Sequence, residues 1–114
     1  MRQRHPREKA AGHLAWVRTL PSLVPGQGPV EAAHIRYGDL RFYKSPTGMA
    51  EKPDDKFSVP LCAEAHRAQH ATSERDWWQA KGIDPILIAA LLWLHSGDDS
   101  AGAHIVATAR SISR

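Results

Sequence analysis

The chain has 114 residues, a formal charge of +3 at neutral pH and a pI near 9.4. That is room for one small domain and not two, and the mild basicity permits a polyanionic partner without demanding one. Its single cysteine, Cys62, excludes an intramolecular disulfide and fits a reducing compartment.

Residues 1–9, with Arg2, Arg4, Arg7 and Lys9, read as a flexible basic arm, either a plain solvated tail or an arm that touches phosphates. No apolar run follows it, so it does not read as a signal peptide. Ala10 to Leu20 carries Ala10, Leu14, Val17 and Leu20 at near-helical spacing, with Pro21 as the stop. Pro25-Gly26 marks a turn. Val30 to Ile35 is apolar and extended enough to be a strand. Tyr37 to Asp55 is polar and broken by Gly38, Pro46, Gly48 and Pro53, and a loop of that length in a small domain is usually functional or mobile. Phe57 to Leu61 reads as a second strand that pairs antiparallel with the first.

Helix formers fill Ala63 to His70. Thr72 or Ser73 offers an N-cap for a helix over Glu74 to Lys81, which Gly82 stops. Trp77 and Trp78 are adjacent, so only one can point squarely into the core. Asp84-Pro85 starts a helix running to His95, apolar nearly all round and expected to be buried or at a homodimer contact. Its longest apolar run, Ile86 to Leu94, is short of the about 20 residues that cross a bilayer. A last helix is expected over Ala101 to Ile112. The whole reads as one unit over 10–114, with C-terminal helices at about 73–113, in a soluble intracellular protein.

The chemistry concentrates in three places. His66 and His70 are four apart, hence one turn apart on one helix face, where two imidazoles can share a metal ion. His34 lies in the first strand, and histidine is the side chain suited by type to serve as general base for phosphodiester hydrolysis; the alternative is a buried structural histidine. Asp55, just before the second strand, is placed to orient His34, or is simply a turn residue beside Asp54. Arg36, Lys52 and Arg67 flank these positions and are candidates for phosphate contacts. The set suggests a metal-dependent hydrolase of nucleic acid. His5, His13, His95 and His104 show no partner pattern, and the four tryptophans read as core or interface.

Three strings in order, Val30-Glu31-Ala32-Ala33-His34-Ile35-Arg36, Gly48-Met49-Ala50-Glu51-Lys52-Pro53-Asp54-Asp55-Lys56-Phe57 and Val59-Pro60-Leu61-Cys62-Ala63-Glu64-Ala65-His66-Arg67-Ala68-Gln69-His70, resemble the HNH endonuclease family, and more narrowly small HNH-like proteins of bacteriophages and prophages. The resemblance covers roughly residues 13–95. It implies an α+β fold: a ββα-metal finger over about 29–71, with additional flanking helices. It also implies one divalent ion (Mg²⁺, Mn²⁺ or Zn²⁺), DNA as substrate and the cytoplasm of a bacterial host. By position, His34 resembles the general base, Asp55 falls near the family's central asparagine, and His66 and His70 fall on the helix histidines that ligate metal.

The chain departs from the family pattern in three ways. Ala33 stands where many relatives place an acid or histidine that ligates the metal, so water, Asp39, Asp54 or a substrate phosphate must complete the shell. Ser22, Pro25 and Ala65 replace cysteines of the zinc knuckles, so the flanking helices must hold the fold. Aspartate replaces the central asparagine. These departures keep a second reading open, a catalytically degenerate HNH-fold module that binds nucleic acid or protein.

Overall fold

In the computed structural model, which describes residues 10–46 and 54–112, the chain is mixed α+β, with five helices and one two-stranded antiparallel sheet. The order is α1 (Ala11–Val17), β1 (Val30–His34), a 3₁₀ turn (Leu40–Phe42), β2 (Ser58–Cys62), α2 (Ala63–Ala71), α3 (Glu74–Lys81), α4 (Pro85–Leu94) and α5 (Asp99–Ile112). The arm at 1–9, Lys52 and the rest of 47–53 lie outside the described residues.

α1 is shorter than its apolar spacing predicts because its end tightens. Thr19 N–H donates to Trp16 O and Leu20 N–H to Val17 O, the short bonds of a closing turn. The strands pair as expected, with Val30 opposite Cys62 and His34 opposite Ser58. Ile35 N–H donates to Phe57 O at 2.9 Å, which carries the pairing one step past β1. β2 is buried along its whole length, so it reads as a continuous apolar run rather than an alternating one.

β2 passes into α2 with no side-chain cap. The first helical donors are met from the preceding loop instead: Ala63 N–H bonds Pro29 O and Glu64 N–H bonds Gln27 O, while the Glu64 carboxylate accepts Gln27 N–H. Of the two caps offered for α3, Ser73 serves; its Oγ accepts from Asp76 N–H, and Gly82 closes the helix at φ +71°. Asp84 caps α4 by accepting Leu87 N–H at 3.2 Å, with Pro85 in the first turn. α5 starts two residues earlier than expected, because the Asp98 carboxylate accepts Ala101 N–H.

The core joins Leu23, Ile35, Val59, Leu61, Trp78, Ile86, Leu92 and Val106, all with almost no exposure. α4 packs on β2 and α5, which absorbs Pro85, Ile86, Ile88, Ala89 and Leu92 and leaves Leu87 and Leu94 at the surface. α5 also reaches α1. Trp16 Nε1 donates to Asp99 at 2.9 Å, and a Cβ on Gly102 would stand 2.7 Å from the Trp16 ring, so only glycine lets the two helices close. Trp78 is the core member of the tryptophan pair, and Trp77 packs edge-on against it. Among the described residues no helix is long and apolar enough to cross a membrane.

Candidate functional site

β1 ends on His34, whose side chain keeps 27% of its surface. His34 Nε2 lies 2.9 Å from Asp55 Oδ1, across the connection that joins the two strands. An ionised carboxylate only accepts, so the geometry assigns the ring proton to Nε2 and leaves Nδ1 with the lone pair. Asp55 is itself buried, and its other oxygen, Oδ2, accepts Ala10 N–H at 2.8 Å. The Ser58 hydroxyl donates to Asp55 O at 2.8 Å. The carboxylate is thus pinned between the start of α1 and the start of β2, and the imidazole is pinned by the carboxylate.

The second cluster is on α2. His66 and His70 stand one turn apart with ring centroids separated by 4.9 Å. His66 Nδ1 lies 2.8 Å from Glu31 Oε1, so the same logic gives Nδ1–H as donor and leaves Nε2 free. Metal-ligating histidines are commonly oriented in this way, by a carboxylate on the ring nitrogen that does not bind the ion. Two imidazole nitrogens on one helix face fit an open site whose other positions belong to water or phosphate. Among the described residues no cluster of three or more His, Cys, Asp and Glu side chains able to hold a metal forms. Asp39, one of the acids expected to complete such a shell, is held instead by Arg41, whose hydrogen bonds keep its carboxyl below the usual carboxylate range.

Glu31 is the residue that reading the sequence missed. Ala33 is fully buried in the core. Strand side chains alternate, so Glu31, two residues back, shares the face of Ala33 while His34 takes the opposite face. An acid on that face therefore does exist, one pleat repeat earlier, and the period of two was the signal that could have found it.

A third element ties the two clusters to the helices. Glu74, in the first turn of α3, accepts Arg36 N–H at 3.0 Å and the Gln69 amide at 3.0 Å, so one carboxylate fastens the end of β1 to both α2 and α3. Arg36 and Arg67 are exposed, Arg67 directly after His66 on α2. Lys52 lies outside the described residues. Cys62 is the buried small side chain expected at the strand end, and Ser22 Oγ accepts its N–H at 2.8 Å. The loop carrying Ser22 and Gly26 thus rests on Cys62 through hydrogen bonding and close packing.

His13, which shows no partner pattern in the sequence, is buried between Trp16 and Trp93, with Nδ1 2.7 Å from Ser96 Oγ. Burial lowers its pKa below the ordinary histidine value, and the Asp55 charge opposes that shift in part.

Comparison with protein-family models, curated proteins and solved structures finds no match.

Proposed function

We propose that the chain is a divalent-metal-dependent endonuclease of the HNH type that hydrolyses DNA phosphodiester bonds, with β1, β2 and α2 as its ββα-metal finger. The observation that carries this reading is the His34–Asp55 pair, a solvent-reachable imidazole locked in one tautomer by a buried carboxylate. It is supported by His66 and His70 on one face of the helix that follows the hairpin.

His34 Nδ1 takes a proton from water. The water oxygen uses a lone pair to form the new bond to phosphorus as the bond to the leaving oxygen breaks; that oxygen departs with the electron pair of the broken bond, and the proton stays on His34 until solvent takes it. Asp55 accepts from Nε2–H and stabilises the imidazolium that the transfer creates. His66 Nε2 and His70 would hold the ion, with Glu31 orienting His66. Bound there, Mg²⁺, Mn²⁺ or Zn²⁺ supplies Lewis acidity toward the charge on the phosphate and leaving oxygen. Arg36, Arg67 and Lys52 contact flanking phosphates, which sets affinity and its salt dependence rather than sequence preference.

The test is nicking of supercoiled plasmid and of single-stranded DNA with each metal or EDTA. Wild type cuts only with metal. His34→Ala loses about a hundred- to ten-thousandfold in rate, the usual scale for a general base, while metal binding is retained. His70→Ala loses metal binding and cutting together. A His34→Ala protein that cuts like wild type rules the mechanism out.

The second reading, a module that binds without cutting, is favoured by buried Ala33 and by the absence of a three-ligand cluster among the described residues. Under that reading no divalent ion binds, even in excess. Leu87 and Leu94 leave an apolar edge on α4 where a second copy would meet the first. Sedimentation of wild type beside Leu94→Glu tests for that homodimer.

A further inference from the structure

Beyond the two histidine clusters, α3 and the segment after β1 enclose a cleft of about 410 Å³, lined among others by Tyr37, Asp39, Arg41, Arg75, Trp78 and Asp84. That volume lies within the roughly 300–1,000 Å³ typical of small-ligand sites. Its walls carry both signs of charge and flat groups. The Arg75 guanidinium lies 4.8 Å from the centre of the Tyr37 ring, and Arg41 bonds Asp39 and Asp84. A hydrocarbon would desolvate these charged groups and offer them no hydrogen bond in return, and a bare phosphate would meet two carboxylates. A planar ring with donors and acceptors on its edge suits them.

The rim of this cleft is a turn held in an unusual state. Asp39 and Lys44 exchange both backbone hydrogen bonds, and Arg41 fastens the turn to Asp84 at the start of α4. Tyr43 sits at φ +53°, a backbone conformation that L side chains rarely adopt. The fixed turn projects two large apolar side chains into water, with Leu40 90% and Tyr43 92% exposed. Aromatic and aliphatic side chains so presented are what stack on, or wedge between, bases that have left the helical stack.

We propose that this turn and cleft receive an unpaired nucleotide, with Tyr43 and Leu40 against the base stack and the cleft around the displaced base. The preferred substrate is then DNA with an open or single-stranded segment rather than continuous duplex. The proposal rests on the endonuclease reading. Tyr37 follows His34 by three residues, a span of at most about 10 Å of chain, or within roughly three base steps of a phosphate at His34.

The experiment uses the full chain as His34→Ala, so that DNA is bound and not cut. Labelled single strand, continuous duplex and duplex with one bulged 2-aminopurine are titrated by anisotropy and base fluorescence. The bulged and single-stranded probes bind more tightly than duplex, and the 2-aminopurine signal changes on binding. Tyr43→Ser and Leu40→Ser, at exposed positions that do not support the core, reduce that preference by about five- to a hundredfold, the scale of a lost base stack. Equal affinity for duplex and open DNA, or an unchanged preference in the double variant, overturns the proposal. If wild type cuts plasmid yet shows no preference, this inference alone fails. If it neither binds nor cuts DNA, the endonuclease reading fails and takes the inference with it.

Discussion

His34 and His66 each meet one carboxylate at nearly the same distance, 2.9 and 2.8 Å, yet the two pairs are built differently. Asp55 keeps only 6% of its side-chain surface and serves two donors at once, His34 and the Ala10 backbone. Glu31 keeps 46% of its side-chain surface. A buried acid shared by two donors is part of the fold; removing it strands both. A half-exposed acid is screened by solvent, and removing it costs the fold little. On the proposed reading, the contrast would separate a preorganised base from an adjustable ligand, as catalysis by a fixed base and an exchangeable ion would require.

The strongest way to break the comparison is Asp55→Ala. It leaves the His34 Nε2–H and the Ala10 N–H without their acceptor, and because both donors are only partly buried, water replaces some of the loss and the cost is about 1–3 kcal/mol in all. Cutting falls by about a hundredfold or more, because the ring loses both its orientation and its counter-charge. Asp55→Asn keeps one acceptor oxygen and loses less on both counts. Thermal melts and single-turnover rates read the two effects separately. A variant that melts like wild type would mean that Asp55 does not tie α1 to the hairpin.

Glu31→Gln should give the opposite signature. Stability changes by less than about 1 kcal/mol, as for other exposed ion pairs. Metal affinity, measured by calorimetry on the apo protein, falls about ten- to a hundredfold, the usual scale when the carboxylate behind a ligating histidine is lost. Raising the metal concentration restores cutting in this variant and not in Asp55→Ala. Equal calorimetric affinity in wild type and variant removes Glu31 from the metal site.

What the sequence made legible divides along the same line. Local signals carried well: the Asp84-Pro85 start of α4, the Gly82 stop of α3 and the His66–His70 face all depend on residues within a few positions of one another, and the strand pairing, though it joins residues as far apart as Val30 and Cys62, followed from two apolar extended runs flanking one loop. The tethers did not, because each joins distant stretches. Ala10 reaches Asp55 across 45 positions, Glu31 reaches His66 across 35, Glu74 reaches Arg36 across 38, and His13 reaches Ser96 across 83. Periodicity cannot report such pairs, since it reads spacing within one element and not contacts between distant ones. The turn at 39–44 was hidden for a different reason. Its bridge and left-handed Tyr43 are fixed by Arg41 bonding Asp39 and Asp84, a tertiary cause that turn chemistry alone does not contain.

The smallest effect concerns His13, a buried imidazole that has a neutral hydroxyl partner rather than an acid. Its Nε2 is buried with no partner, so the imidazolium, which donates from both ring nitrogens, would leave one charged N–H with nothing to meet. Burial is the larger cause of its lowered pKa, and the Asp55 charge works against it. The sign follows from proton counting. The unfolded histidine takes up a proton as pH falls through its ordinary value of 6.5, while the folded one refuses it until a lower pH. Stability is therefore full above pH 6.5 and declines below it, toward the folded value, by at most about 1.4 kcal/mol per pH unit. His13→Phe retains a ring between Trp16 and Trp93 but cannot titrate. Melted side by side from pH 8 to pH 5, the variant should gain on wild type as the solution becomes acidic. A constant gap between the two melting temperatures would show that His13 titrates alike in both states, and that the Asp55 charge fully offsets burial.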